Sequence, residues 1–142
     1  MPWLPKQTVV VPVDFSDASL EAIEIALGMV ATPEHVRIVH VLPDLIPLEP
    51  TEVFQTFDNQ SRIEHTRNIL RERLQKLGHP ELPFEVLFGD PGQMVAKFAA
   101  DLKADLIILP SHGRTGFARM LIGSTAERVV RFAHCPVLVL RS

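Results

Sequence analysis

Two parts of this sequence place residues of suitable type at spacings that could hold a phosphorylated ligand. From residue 110 it reads Pro110-Ser-His-Gly113-Arg-Thr-Gly116-Phe-Ala-Arg-Met-Leu-Ile-Gly123-Ser124, directly after the apolar run Leu106-Ile-Ile-Leu109. Glycines permit positive φ and let backbone N–H groups come close to a ligand. A hydroxyl at Ser124 precedes apolar residues Ala126, Val129, Val130 and Ala133, the spacing of one helix face. The first-turn amides of such a helix lack intrahelical partners and carry the positive end of its dipole, which stabilises an anion by about 0.3–1 kcal/mol. The second part is Asp14, at the end of Thr8-Val-Val-Val-Pro-Val13. A carboxylate there can accept hydrogen bonds from ribose hydroxyls or a base amino group. Ser124 and Glu127 also match the capping box S-x-x-E, which needs no ligand. The loop by itself leaves both readings open.

The elements that must position these groups follow from periodicity. Thr8–Val13 predicts a strand, and Leu20, Ile23, Leu27 and Val30 mark a helix capped by Ser16 or Asp17. His35–Val41 predicts a second strand. Prolines 43, 47 and 50 then predict a long connection, with Phe54 and Phe57 as possible anchors. A helix is expected from about Asn59 to Leu77, ended by Gly78, and its arginines read as a solvated face. Phe84–Phe88 predicts the third strand, Gly89–Gly92 a turn, and Val95, Phe98, Ala99 and Leu102 a helix face. Leu106–Leu109 has the length and unbroken apolarity of a strand covered on both faces, and Cys135–Leu140 closes the chain as the fifth.

This alternation predicts an α/β fold: a single five-stranded parallel sheet, doubly wound in the order 3-2-1-4-5, with helices on both faces. In that order the first and fourth strands flank the point where the winding reverses, and ligands bind there at the carboxyl ends of the strands. Asp14, the 110–124 loop and Val41 then converge on one crevice.

The 142 residues form one domain, 1–142, whose 46% hydrophobic and 22% charged content fits a soluble protein with a full core. A net charge of -3 without a long basic run predicts no nucleic-acid partner. No apolar stretch reaches the ~20 residues that span a bilayer, and the start lacks a signal-peptide pattern, so a cytoplasmic location and no membrane partner are expected. Cys135 reads as packing. The six histidines show no metal-site spacing, so no metal site is expected from them. The absence of G-x-x-x-x-G-K-[S/T], H-x-G-H and S-G-G-x-D-S argues for binding in preference to turnover.

With these residues in view, the chain resembles the universal stress protein family along nearly its whole length. The resemblance rests on Val-Val-Val-Pro-Val-Asp14-Phe-Ser-Asp, Val39-His40-Val41, Ala104-Asp105-Leu-Ile-Ile, Ser111-His-Gly113, Gly123-Ser124, Ala126-Glu-Arg-Val and Cys135-Pro-Val-Leu-Val. It implies a stress-response module, commonly a homodimer, that binds an adenine nucleotide (ATP, ADP or AMP), with Mg²⁺ accompanying ATP. It also implies that Asp14 and Val41 hold the adenosine, while Gly113, Gly123 and Ser124 hold ribose and phosphates. The ATP-binding pattern G-x-x-G-x(9)-G-[S/T] has proline at its first position, Pro110. That departure predicts a weaker grip on the triphosphate. The alternatives are a nucleotide-free dimeric interaction protein of the same fold and a slow nucleotide hydrolase. An uncovered apolar edge at Val137–Leu140 predicts the homodimer through the C-terminal strand.

Overall fold

A computed structural model describes residues 2–43, 52–112 and 122–141, with the backbone only over 52–58. Among these the chain runs β1 (Val9–Pro12), α1 (Asp17–Leu27), β2 (Val36–Leu42), α2 (Glu52–Lys76), β3 (Phe84–Phe88), α3 (Pro91–Asp101), β4 (Leu106–Pro110), α4 (Ser124–Phe132) and β5 (Val137–Leu140). The strands form one sheet in the order β3-β2-β1-β4-β5, and every pair is parallel. The predicted fold class is the observed one.

Strand residues alternate between two cores. Val9, Val11, Ile38 and Ile108 pack with Leu20, Ile23, Leu70 and Leu74 on the α1/α2 face. Val10, Val39, Ile107 and Leu109 pack with Val95, Ala99, Ala126 and Val129 on the α3/α4 face. Both faces are covered, which is why the strands read as unbroken apolar runs. Each fully buried aliphatic side chain contributes about 1.5–3 kcal/mol.

Several local expectations need correction. Helix α2 begins at Glu52, seven residues before Asn59, so Phe54 and Phe57 lie on its first turns, and their side chains lie outside the described residues. Proline disfavours helix at the residue before it and in a helix interior, and Pro50 places no limit on the residues that follow. The turn expected at Gly89–Gly92 runs directly into α3: Pro91 opens the helix and the Asp90 carboxylate caps it by accepting Gln93 N–H at 3.0 Å. Val30, expected on the α1 face, lies past the end of α1 and bridges to Lys6, while the α1 cap and the Gly78 stop are as expected. Ser16 caps α1, accepting Ser19 N–H at 3.2 Å. Gly78, at φ +85, lets His79 N–H reach Leu74 O at 2.8 Å and closes α2.

Gly92 fixes the spacing of α3 and α4. A Cβ there would lie 2.4 Å from the Arg128 Cβ, so only glycine lets the two helices pack this closely. At the opposite end of the sheet, Asp105 accepts Gln7 N–H and Thr8 N–H at 2.9 Å each, joining the start of β4 to the chain leading into β1.

Candidate nucleotide-binding crevice

The ladder between β1 and β4 is short. Only Val9↔Leu106 and Val10↔Ile107 pair, after which the strands continue without further pairing. The cause lies in two prolines. Val13 donates its N–H to Val39 O of β2 at 2.9 Å, and Ser111 donates to Leu140 O of β5 at 2.7 Å. Successive N–H groups along a strand point to opposite sides, so Pro12 and Pro110 direct their nitrogens into the β1/β4 seam. Neither nitrogen carries a hydrogen. The next two rungs cannot form, and the seam opens at the carboxyl ends of the strands, at the point where the winding reverses.

Asp14 stands at one wall of this opening. Its Oδ1 accepts Ser16 N–H at 3.0 Å and the Ser16 hydroxyl at 2.5 Å, while Asp14 N–H donates to Ser19 Oγ at 3.3 Å. Phe15 between them has φ +66, a left-handed conformation that is strained for a bulky residue. These bonds orient the carboxylate at the mouth of the crevice. Val41 lies across the sheet on β2, half-buried. Ile38 N–H points to β3, donating to Pro83 O at 3.1 Å, so alternation turns the N–H and C=O of Val41 toward the β1 side, one rung past the last β1–β2 bond.

His40, to which the sequence reading assigns no role of its own, packs at this wall of the crevice. Its Nδ1 contacts Val13 O at 2.5 Å, and since a carbonyl only accepts, Nδ1 carries the proton. Its ring packs against Phe15 with centroids 4.8 Å apart. The sequence carried one signal, a polar residue inside an apolar strand next to Val41, but the partner twenty-seven residues away was not readable.

The helix side of the crevice departs from expectation. Gly123, not Ser124, is the N-cap of α4; Ser124 is the first helical residue, and no side chain caps this end. The expected Ser124–Glu127 capping box is absent: Glu127 pairs with Arg131 one turn along. Gly123 donates its N–H to Ser111 O at 2.5 Å, so that amide holds the helix to the end of β4 and does not face a ligand. A Cβ on Gly123 would sit 3.0 Å from Ser111 O, which accounts for the glycine. The first intrahelical bond is Glu127 N–H to Gly123 O, which leaves the amides of Ser124, Thr125 and Ala126 as first-turn donors. Ser111 itself is buried at 3% exposure, its hydroxyl 3.3 Å from His112 Nδ1. Among the described residues, His112 Nε2 is buried without a hydrogen-bond partner. Gly113, Arg114, Gly116 and Arg119 lie outside the described residues.

The structure therefore brings Asp14, the Val41 backbone, Gly123 and Ser124 to one end of the sheet. Three first-turn amides and an exposed hydroxyl suit a phosphate, and a carboxylate with a peptide edge suits a nucleoside. Among the described residues no three His, Cys, Asp or Glu side chains converge, so no residue is assigned to Mg²⁺. An open groove of 290 Å³, lined by Gln93, Ala96, Lys97, Ala100, Phe132 and His134, lies elsewhere, between α3 and the end of α4.

The pattern of the universal stress protein family matches residues 6–141. The chain belongs to the universal stress protein family. It is 35% identical over 139 residues to universal stress protein MJ0531 of Methanocaldococcus jannaschii, covering 94% of this chain and 81% of that one. Universal stress protein UspA from Lactobacillus plantarum superposes with a TM-score of 0.76 at 27% identity, over 96% of this chain and 99% of that one. A universal stress protein solved in complex with cAMP superposes with a TM-score of 0.64 at 25% identity, over 96% and 98% of the respective chains. The match spans both walls of the crevice. No helix among the described residues is long and apolar enough to cross a membrane.

Proposed function

We propose that this universal stress protein binds an adenine nucleotide in the β1/β4 crevice and acts by binding, not by turnover. The observation that carries this reading is the opened seam. Pro12 and Pro110 end the ladder, Asp14 and the Val41 backbone stand on the β1/β2 side, and the α4 amides stand on the β4 side. The relative solved with cAMP supports an adenine ligand for this fold. In the proposed complex Asp14 and Val41 hold the adenosine, while Gly113, Ser124 and the first turn of α4 receive ribose and phosphate. Gly123 contributes by close approach and not through its amide.

Mass spectrometry of small molecules released on denaturing the purified protein tests the reading directly, and calorimetry with AMP and ATP quantifies it. Asp14→Ala removes a charge-assisted contact worth about 1.5–3 kcal/mol, so affinity should fall by about 10- to 100-fold. Because Asp14 also holds Ser16, some loss of melting temperature accompanies it. That internal bonding favours the second reading, a ligand-free interaction protein in which Asp14 only shapes the turn. Loss of melting temperature in Asp14→Ala, with no nucleotide bound by the wild type, would select it.

We also propose a homodimer through β5. This edge strand pairs only with β4 among the described residues, and Leu138 on it is 37% exposed.

A further inference from the structure

We infer that His40 is a positioning residue that keeps the Val41 peptide edge open for the base; this rests on the crevice being the nucleotide site. In an unbroken parallel ladder, the bond from Val13 N–H to Val39 O is followed by one from Val41 N–H to Val13 O. That bond is absent among the described residues. Val13 O is taken instead by His40 Nδ1–H at 2.5 Å. The imidazole substitutes for the missing rung, satisfying the carbonyl while the Val41 N–H is left at the mouth of the crevice.

The same ring supports the other wall. Phe15 adopts its strained conformation between Asp14 and Ser16, and its ring rests on His40 and on the α1/α2 core. One side chain thus touches both the turn that aims the Asp14 carboxylate and the carbonyl that would otherwise draw in Val41. His40 is half-buried and its ring is already engaged on both counts, so it acts through its neighbours and not by touching the ligand.

Two variants separate these contributions. His40→Phe keeps a ring against Phe15 but has no donor for Val13 O. His40→Asn loses the ring but places an amide N–H the same number of bonds from Cβ as Nδ1. Hydrogen exchange of the Val41 amide, read by NMR on the ligand-free protein, should be fast in the wild type and in His40→Asn. In His40→Phe it should slow by at least about tenfold as Val41 N–H moves onto Val13 O. AMP affinity should fall by about tenfold in His40→Phe and by less in His40→Asn. An unchanged Val41 exchange rate in a folded His40→Phe, or a protected Val41 amide in the wild type, overturns the inference. If the exchange pattern is as expected but the wild type binds no adenine nucleotide, the positional role stands and the nucleotide reading fails. Should His40→Phe not fold, the wild-type exchange rate and the His40→Asn affinity still decide.

Discussion

Asp105 shows how a single carboxylate can serve structure at the end of the sheet away from the crevice. Burial pushes its pKa up, but the N–H groups of Gln7 and Thr8 outweigh that, and the carboxyl titrates below its ordinary value. A depressed folded value means the stabilisation is present above the unfolded pKa of about 3.9 and is lost as pH falls through the folded value. Asp105→Ala should therefore cost about 1–3 kcal/mol at pH 7, and the difference from wild type should shrink as pH falls through the folded value, as read by urea denaturation over a series of acidic pH values. Pro110 is the residue for which the phosphate question is sharpest. Its nitrogen faces the crevice, so Pro110→Gly introduces a donor there. If that donor reaches a phosphate, calorimetry should show ATP binding strengthened by about 1.5–3 kcal/mol and AMP binding changed less. Equal effects on both nucleotides would mean that the new N–H has gone to the β1 strand instead. Cys135 is part-buried, and that burial pushes its thiol pKa up, with Asp105 adding to the effect. Slow alkylation at pH 7 is the expected outcome.

Helix α4 is held at two points, and both depend on the absence of a side chain. Gly92 lets its middle approach α3, and Gly123 lets its start approach Ser111 O. In Gly92→Ala the new Cβ meets the Arg128 Cβ and backbone, which can yield only if α4 moves as a body. A loss of about 1–3 kcal/mol is expected, with weaker nucleotide binding because the first-turn amides move with the helix. Gly28→Ala is the control. Gly28 lies in the right-handed helical region, and its added Cβ meets only Ile25 O and Glu24 O at 3.4 and 3.9 Å. That variant should be neutral or more stable by up to about 1 kcal/mol in thermal melts.

For the whole molecule the open question is the β5 edge. Leu140 packs against the α1/α2 core, and Val137 and Val139 pack on the opposite face, so substituting any of them damages the fold itself. Leu138 is the exposed member, with Val130 and Phe132 of α4 also exposed. An apolar edge of this kind is covered when a second copy pairs with it. Leu138→Lys should convert a dimer to a monomer in light scattering at micromolar concentration while leaving the melting profile of the monomer intact. A monomer mass for the wild type would remove the dimer from the proposed function.

Local pattern was enough to mark the strands, the Gly78 stop and a cap of α1 at Ser16 or Asp17, because each depends on residue types within a few positions, while the strand order came from the general winding rules of α/β folds and the structure chose Ser16. The family motifs likewise marked Asp14, Val41, Gly123 and Ser124 as neighbours in space. Tertiary structure decided what each of them does. Gly123 and not Ser124 caps α4 because Ser111 O, twelve residues earlier, claims the Gly123 amide. Pro12 and Pro110 open the seam only because the register of β1 with β2, and of β4 with β5, turns both nitrogens toward each other. His40 meets Val13 O across a strand pairing that no local spacing encodes. Side-chain type and spacing set which elements form, but the side of a strand on which a hydrogen bond is missing is set by its neighbours, and these come from distant parts of the chain.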